Sequence, residues 1–538
     1  MDETRSWHRV TTIRVVAALG FFGMVNTGVF APAAVVTNRI DGERGAPDTR
    51  SRSQAEADLV MRHLANKEYS QALEVAIKLT QANPDEPIGY NMQGVAYIST
   101  QDFAKARQNF ESALRLQKDY EPALMNLAEL DLRDKNFAGA RRHYEAIMAK
   151  DANSLIAMLG MAKLEAMNQN EQERLAWLER AKAARPDAPA PRLLLATHYA
   201  GKKNYERAVA ELRGAQRRLP SNPEILELLG QVQVASGKDA DAVATYKRLV
   251  AVRPQSHVAY TRLAAAQAKV KDASAAANLR KALELKPDYP DALAGLAVVE
   301  GRAGRHAEAL GLAQKVQKVA PTKASGFSLE GDVHLEQKRF SQAALAYEKA
   351  LALEQIGGLA IKVHAAQTLA GNAKEADAKL QQWTREHPDD VIARLYVAQE
   401  LAKSGKNQQA IEAYRAVLQK DPGNVLALNN LANIYYRESD PRAIGIAEEA
   451  YKQNPDSPAA VDTLGWILVE RGQTARGLQL LQKAAAQAPK NAEIRYHLAA
   501  ALAKSGEKAR ARRELEKLLA TTQQFPQREA AQTLLRQL

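Results

Sequence analysis

From about Ser53 to Phe525, apolar residues recur three and four positions apart in short runs, each broken by a small polar cluster. That spacing predicts amphipathic helices and no β-sheet. The breaks are periodic. Prolines stand at 186, 220, 254, 287, 321, 388, 422, 455 and 489, with separations of 34, 34, 33, 34, 67, 34, 33 and 34 residues. The 67 is two periods with a proline missing between them. Pro84 lies three periods before Pro186, with Lys118 and Ala152 where proline would stand. A chain of 538 residues ordinarily divides into several cores, since a single core stops growing near roughly 250–300 residues. A repeat array avoids that limit, because each unit needs only its neighbours to bury its apolar face.

Each period holds two helices with recurring landmarks. With Pro87 as position 1, position 8 is small (Gly94), position 11 aromatic (Tyr97), position 20 Ala (Ala106), position 24 aromatic (Phe110) and position 27 Ala (Ala113). Position 8 stays Gly or Ala from Gly94 to Ala499, with His364 the exception. Position 20 is Ala from Ala72 to Ala511, broken by Arg174 and Gly477. Small residues at 8 and 20 let two antiparallel helices approach closely. Position 24 is large, as in Tyr144, Leu178, Tyr246, Tyr347, Tyr414 and Leu515, and is predicted to plug the space between one pair and the next. The proline near position 32 ends the second helix, since it lacks an N–H donor and disfavours helical geometry in its predecessor.

These residues resemble the tetratricopeptide repeat over about nine-tenths of the chain. The resemblance implies an all-α fold, an α-α superhelical solenoid of about 14 helix pairs over 53–525. First helices would line a concave groove, second helices would form the outer wall, and 526–538 would close the array as a capping helix. Two units are one residue short, before Pro287 and before Pro455, both in the region joining the two helices. The unit with Arg174 at position 20, in the run Gln169-Asn170-Glu171-Gln172-Glu173, is the one whose packing the pattern defines least.

At the N-terminus, Arg5, Arg9 and Arg14 precede an apolar stretch from Val15 to Val36. Residues 1–36 read as an export signal cleaved near Ala33, or as an uncleaved membrane anchor, since about 20 apolar residues cross a bilayer. The polar segment 37–52 reads as a flexible linker. Either alternative places the repeats outside the cytoplasm, in the periplasm or anchored facing it. The absence of cysteine excludes disulfides, thiolate metal sites and N-terminal lipid attachment to Cys. Lys plus Arg number 74 against 62 Asp plus Glu, a modest and scattered excess. The densest basic run, Lys504, Lys508, Arg510, Arg512 and Arg513, has the helical spacing of a solvated face. No base-stacking groups accompany it, so nucleic acid is not an expected partner.

Little in the chain points to catalysis. The ten histidines are scattered without metal-ligand spacing and read as exposed or capping residues. No nucleophile elbow, phosphate loop or dinucleotide fingerprint is present, so no enzyme activity, metal or cofactor is expected. Binding is the remaining function. In the resembled fold, positions 2, 5, 9 and 12 of the first helix face the groove, which nominates Asn429, Asn433 and Tyr436, then Asp462 and Trp466, then Glu493 and Tyr496. Aromatics and amides combine large contact area with directed hydrogen bonds. Trp466 and Tyr496 either contact a partner or pack helix against helix, and the sequence leaves both open. Trp177 and Trp383, on second helices, are assigned to packing.

The run Asp462-Thr-Leu-Gly-Trp-Ile-Leu-Val-Glu-Arg-Gly-Gln, with Gly477-Leu-Gln-Leu-Leu-Gln-Lys-Ala and Ile494-Arg-Tyr-His-Leu-Ala, resembles the TPR-repeat lipoproteins of the PEP-CTERM/exosortase system. That resemblance implies an envelope scaffold with protein partners, among them membrane-bound export or sorting components, in exopolysaccharide export or surface-protein sorting. Direct recognition of polysaccharide or peptidoglycan by the groove is the alternative. The lipoproteins carry a lipidated cysteine that this chain lacks.

Overall fold

The computed structural model describes residues 52–522 and 524–538. The export segment 1–36 and the linker up to residue 51 lie outside the described residues. Among the described residues every regular element is a helix, and the chain divides into two compact units, one ending at Pro287 and one starting at Asp288.

The first unit holds seven helix pairs. They are α1 (Arg52–Ala65) with α2 (Tyr69–Ala82), α3 (Pro87–Ser99) with α4 (Phe103–Leu116), α5 (Glu121–Arg133) with α6 (Phe137–Lys150), and α7 (Leu155–Met167) with α8 (Glu171–Ala184). There follow α9 (Pro189–Gly201) with α10 (Tyr205–Arg218), α11 (Pro223–Ala235) with α12 (Asp239–Val252), and α13 (His257–Lys269) with α14 (Ala275–Leu285). The second unit holds seven more and a single last helix. Its pairs are α15 (Pro290–Arg302) with α16 (His306–Val319), α17 (Ser325–Glu336) with α18 (Phe340–Leu353), α19 (Gly357–Leu369) with α20 (Ala373–Glu386), and α21 (Val391–Lys403) with α22 (Asn407–Lys420). Then come α23 (Val425–Arg437) with α24 (Ala443–Gln453), α25 (Pro458–Glu470) with α26 (Thr474–Gln487), α27 (Ala492–Lys504) with α28 (Lys508–Thr521), and finally α29 (Arg528–Gln537).

One turn chemistry ends every first helix. Position 15 has a positive φ in all fourteen pairs, from Lys67 (64°) and Gln101 (62°) to Gly472 (85°) and Gly506 (87°). After α3, the Gln101 N–H donates to Ile98 and the Asp102 N–H to Tyr97, so the left-handed residue turns the chain while satisfying carbonyls the helix leaves open. Eight of these residues are not glycine, and five of those are lysine. The next helix starts at once, capped in α4, α6, α8 and α10 by the side chains of Asp102, Asn136, Asn170 and Asn204.

Positions 8, 20 and 24 form the core of each pair. Phe110, Tyr144, Tyr347 and Tyr414 are wholly buried, each worth roughly 1.5–3 kcal/mol of burial. A Cβ on Gly94, Gly230 or Gly331 would lie 2.3–2.4 Å from the ring of Phe110, Tyr246 or Tyr347, so glycine at position 8 makes room for the ring at position 24. In α25 and α26 the backbones themselves approach. A Cβ on Gly477 would come within 2.5 Å of the Gly465 carbonyl oxygen, which accounts for glycine in place of alanine at position 20.

The structure revises several sequence expectations. Position 11 is not generally aromatic. It holds buried Asp131, Glu165, Gln233, Gln267, Glu300 and Gln367, each tied to a polar partner: Arg107 bridges Asp131 at 2.9 Å, Arg141 pairs with Glu165, and Arg305 pairs with Glu300. Gln233 accepts from Thr245 at 2.7 Å, Gln267 from Asn278 at 2.7 Å, and Gln367 donates to Glu348 at 2.7 Å. The histidines are likewise not exposed. None of the nine described is, and seven face a carboxylate, among them His63 on Glu68 at 2.6 Å and His364 on Asp377 at 2.9 Å. Partial burial of a ring that can donate N–H favours such a partner. At position 8, His364 is buried and also meets the Tyr396 hydroxyl at 3.1 Å.

The two short units are as expected. Loops 270–274 and 438–442 precede second helices of only 11 residues. A third shortening lies elsewhere, in the three-residue loop 354–356 between α18 and α19. The α8 helix buries only Leu178 and Ala181, in line with Arg174 standing where alanine packs elsewhere. Both second-helix tryptophans are packing residues: Trp177 packs against two core clusters, while Trp383 is buried and donates its indole N–H to Asp390 at 2.8 Å.

Candidate binding face

First helices of neighbouring pairs touch directly, α23 with α25 and α25 with α27, so their outward residues form one continuous face within the second unit. Four of the seven nominated residues converge there. The Trp466 ring on α25 stacks on His497 of α27 at 4.4 Å between centroids and 14° between planes, and Tyr496 sits 6.4 Å from it. His497 in turn reaches the buried carboxylate of Asp462, with Nδ1 at 2.9 and 3.0 Å from its two oxygens. The ammonium of Lys504 lies 5.9 Å from the Trp466 ring and is held by Glu470 at 2.6 Å. Burial pushes the Tyr436 and Tyr496 hydroxyls above their usual range, and the negative charge of Glu470 adds to both rises.

The other three residues stand differently. Asn433 donates to Thr463 at 3.4 Å and so ties α23 to α25. Asn429 keeps a buried side-chain oxygen with no hydrogen-bond partner among the described residues. Glu493 is exposed and accepts from Gln527 at 3.1 Å, which fastens the start of α27 to the chain leading into α29.

His497 was missed because it stands at position 6, outside the positions read as facing the groove. A signal for it exists. Position 5 of one pair repeatedly meets position 6 of the next: Asn91 with Asn126 at 3.0 Å, Glu227 with Arg262, Ser328 with Lys362 at 3.0 Å, and Asp462 with His497. Complementary polar residues about 35 apart would have marked each of these contacts. Tyrosines of the second helices add a further layer, reaching polar groups on the first helix of their own pair or of the next. Tyr347 donates to Asp332 at 2.7 Å, and Asn430 donates to Tyr414 at 3.1 Å.

Two models of the family described as tetratricopeptide repeat match the chain, one over 97–164, 199–270 and 468–538, the other over 58–121, 262–324 and 397–458. The chain is a tetratricopeptide-repeat protein. Such repeats mediate protein–protein interaction, and proteins built from them are typically non-catalytic scaffolds. The stretches that neither model covers include Arg174 and His364, the two side chains that break the small-residue pattern.

A TPR repeat-containing protein of Pseudomonas aeruginosa is 29% identical over 174 residues, 31% of this chain and 29% of that protein. Cellulose synthase operon protein C of Pseudomonas fluorescens is 32% identical over 158 residues, 26% of this chain and 12% of that one. Cellulose synthase 1 operon protein C of Komagataeibacter xylinus is 26% identical over 247 residues, 45% of this chain and 17% of that one. The chain therefore spans less than a third of the length of each of these relatives.

Proposed function

We propose that this repeat protein is an envelope scaffold that holds protein partners on the face built by α23, α25 and α27, within an apparatus that makes or exports an exopolysaccharide. The observation that carries the binding face is the convergence of Trp466, Tyr496, His497 and Asp462 from two adjacent first helices. The exopolysaccharide setting draws support from the two relatives named for cellulose synthase operons. The apolar N-terminal stretch after Arg14 supports a place outside the cytoplasm, periplasmic or anchored facing the periplasm. Sorting of surface proteins, suggested by the resemblance of the C-terminal motifs, is the second use the same face would serve.

Direct sugar recognition by this face is less favoured, because His497 already occupies one face of the Trp466 ring on which a sugar would stack. A glycan pull-down separates the readings. Retention of the intact chain on envelope polysaccharide, lost in Trp466→Ala, supports sugar binding. No retention, together with recovery of a protein partner that Trp466→Ala releases, supports the scaffold. Cell fractionation that finds the chain in the cytoplasm would remove the envelope setting.

A further inference from the structure

The basic run seen in the sequence does not survive as one patch. Lys504 belongs to α27 and is held by Glu470 at 2.6 Å, and Arg510 is held by Glu507. What remains on α28 is a different set: Lys508, Arg512, Arg513 and Lys517, all exposed, none with a carboxylate partner among the described residues. Some cations on other second helices do reach a neighbouring pair, as Lys150 does to Asp119 at 2.6 Å, Lys420 to Asp389 at 2.6 Å and Arg476 to Glu448 at 2.8 Å.

The four break two local rules. Lys508 and Arg512, and likewise Arg513 and Lys517, are like charges four residues apart, which weakens a helix. Lys508 also sits in the first turn of α28, where the helix dipole disfavours cations, with Glu507 at the N-cap the nearest acidic residue. Glu516, four residues from Arg512 and three from Arg513, offsets part of the like-charge repulsion, and the remaining positive charge is left for groups outside the chain.

We propose that the exposed face of α28 binds an acidic polysaccharide of the polyuronate class. The two charge pairs flank a low stripe of Ala509, Glu516 and Ala520, and span about 14 Å along the helix at about 1.5 Å per residue. A linear polymer with one carboxylate per ring can lie along that stripe and meet several cations, which a single small anion cannot do. Adjacent arginines favour carboxylates, which they grip with two parallel N–H donors. A membrane surface fits less well, since no large apolar side chain of α28 is exposed to enter the headgroup layer. Glu516 opposes the polymer, and its removal is a sensitive probe. The proposal rests on the exopolysaccharide setting above but uses a different surface from the α23, α25 and α27 face.

The test measures retention of the whole exported chain on immobilised polygalacturonate in about 50 mM salt, where surface charges are only weakly screened. Neutral dextran and phosphatidylglycerol vesicles serve as comparisons. Binding to polygalacturonate and not to dextran is expected, weakened at least tenfold when Lys508, Arg512, Arg513 and Lys517 are all changed to Gln. Glu516→Gln should strengthen it severalfold, a gain that misfolding cannot produce. Equal binding by wild type and the fourfold variant, equal retention on dextran, or capture by vesicles alone would overturn the proposal. Protein-partner recovery that persists in the fourfold variant leaves the scaffold reading standing, and loss of partners in Trp466→Ala with polymer binding intact shows the reverse.

Discussion

Substituting Gly477 by alanine tests the packing that sets the distance between α25 and α26. Alanine is ordinarily the better helix former by about 1 kcal/mol, so on propensity alone this change would stabilise. The geometry opposes it. The new Cβ would stand 2.5 Å from the Gly465 carbonyl oxygen, 2.6 Å from a Val469 methyl and 2.9 Å from the Val469 nitrogen. Two of those atoms are backbone, and no rotamer relieves them, so the helices must separate. Overpacking of this kind costs about 1–3 kcal/mol, leaving a net loss of about 0–2 kcal/mol after the propensity gain, at the upper end because two of the clashing atoms are backbone. Gly465→Ala supplies the comparison: its Cβ meets Leu481, the Gly477 oxygen and Leu480 at 3.0–3.1 Å, contacts that need only a few tenths of an ångström of adjustment, so the change should cost less than Gly477→Ala. Hydrogen exchange followed by mass spectrometry on peptides from 458–487 reads both variants locally. Gly477→Ala should speed exchange about tenfold and Gly465→Ala by less. Slower exchange in Gly477→Ala, or identical behaviour of the two, refutes the argument.

Three further outcomes follow from the repeat. Changing Lys67, Lys135, Lys203 and Lys271 together to Gly relieves left-handed strain at four helix ends, each by about 0.5–1 kcal/mol, and should raise the thermal midpoint by several degrees, whereas a lower midpoint contradicts the turn account. Arg141→Ala removes the guanidinium that neutralises the buried Glu165 carboxylate and should cost about 1–3 kcal/mol in urea unfolding, with the loss largely recovered when Glu165→Leu is added. Asp440, held by the Arg442 side chain and backbone N–H, has its carboxyl lowered to about 2. A depressed carboxylate contributes stability above its unfolded value of about 3.9 and loses it as pH falls through about 2, so an NMR titration of Asp440 should place its midpoint near 2 in wild type and higher in Arg442→Ala, where the backbone N–H alone still holds it below the unfolded value.

The helix pairs were legible because prolines at position 32 and small residues at 8 and 20 repeat with a fixed period, and each has a local cause in backbone geometry. The buried charges were not. Glu165 and Glu300 carry no mark distinguishing them from surface carboxylates, since their burial depends on Arg141 arriving from the preceding pair and on Arg305 folding back across the turn after α15. The candidate face was half legible. Trp466, Tyr496 and Asp462 were nominated by the groove positions of the resembled repeat, but His497 between them needed the contact from position 5 to position 6 across pairs, which only the stacking of neighbours establishes. Glu493 stands at one of the same groove positions and yet is engaged by Gln527 from the chain before α29, a contact outside the repeat rule.

The central claim is that the first-helix face of α23, α25 and α27 holds a protein partner in the cell envelope. A photo-crosslinking residue placed at Tyr436 and at Tyr496 in living cells, with the products identified by mass spectrometry, addresses it most directly. A companion chain carrying the same residue at Leu345, exposed on the second helix α18, reports contacts made elsewhere. The account predicts one envelope protein captured from both Tyr436 and Tyr496, not from Leu345, and lost when Trp466 is changed to Ala. Capture from Leu345 alone, or of cytoplasmic proteins only, would contradict it.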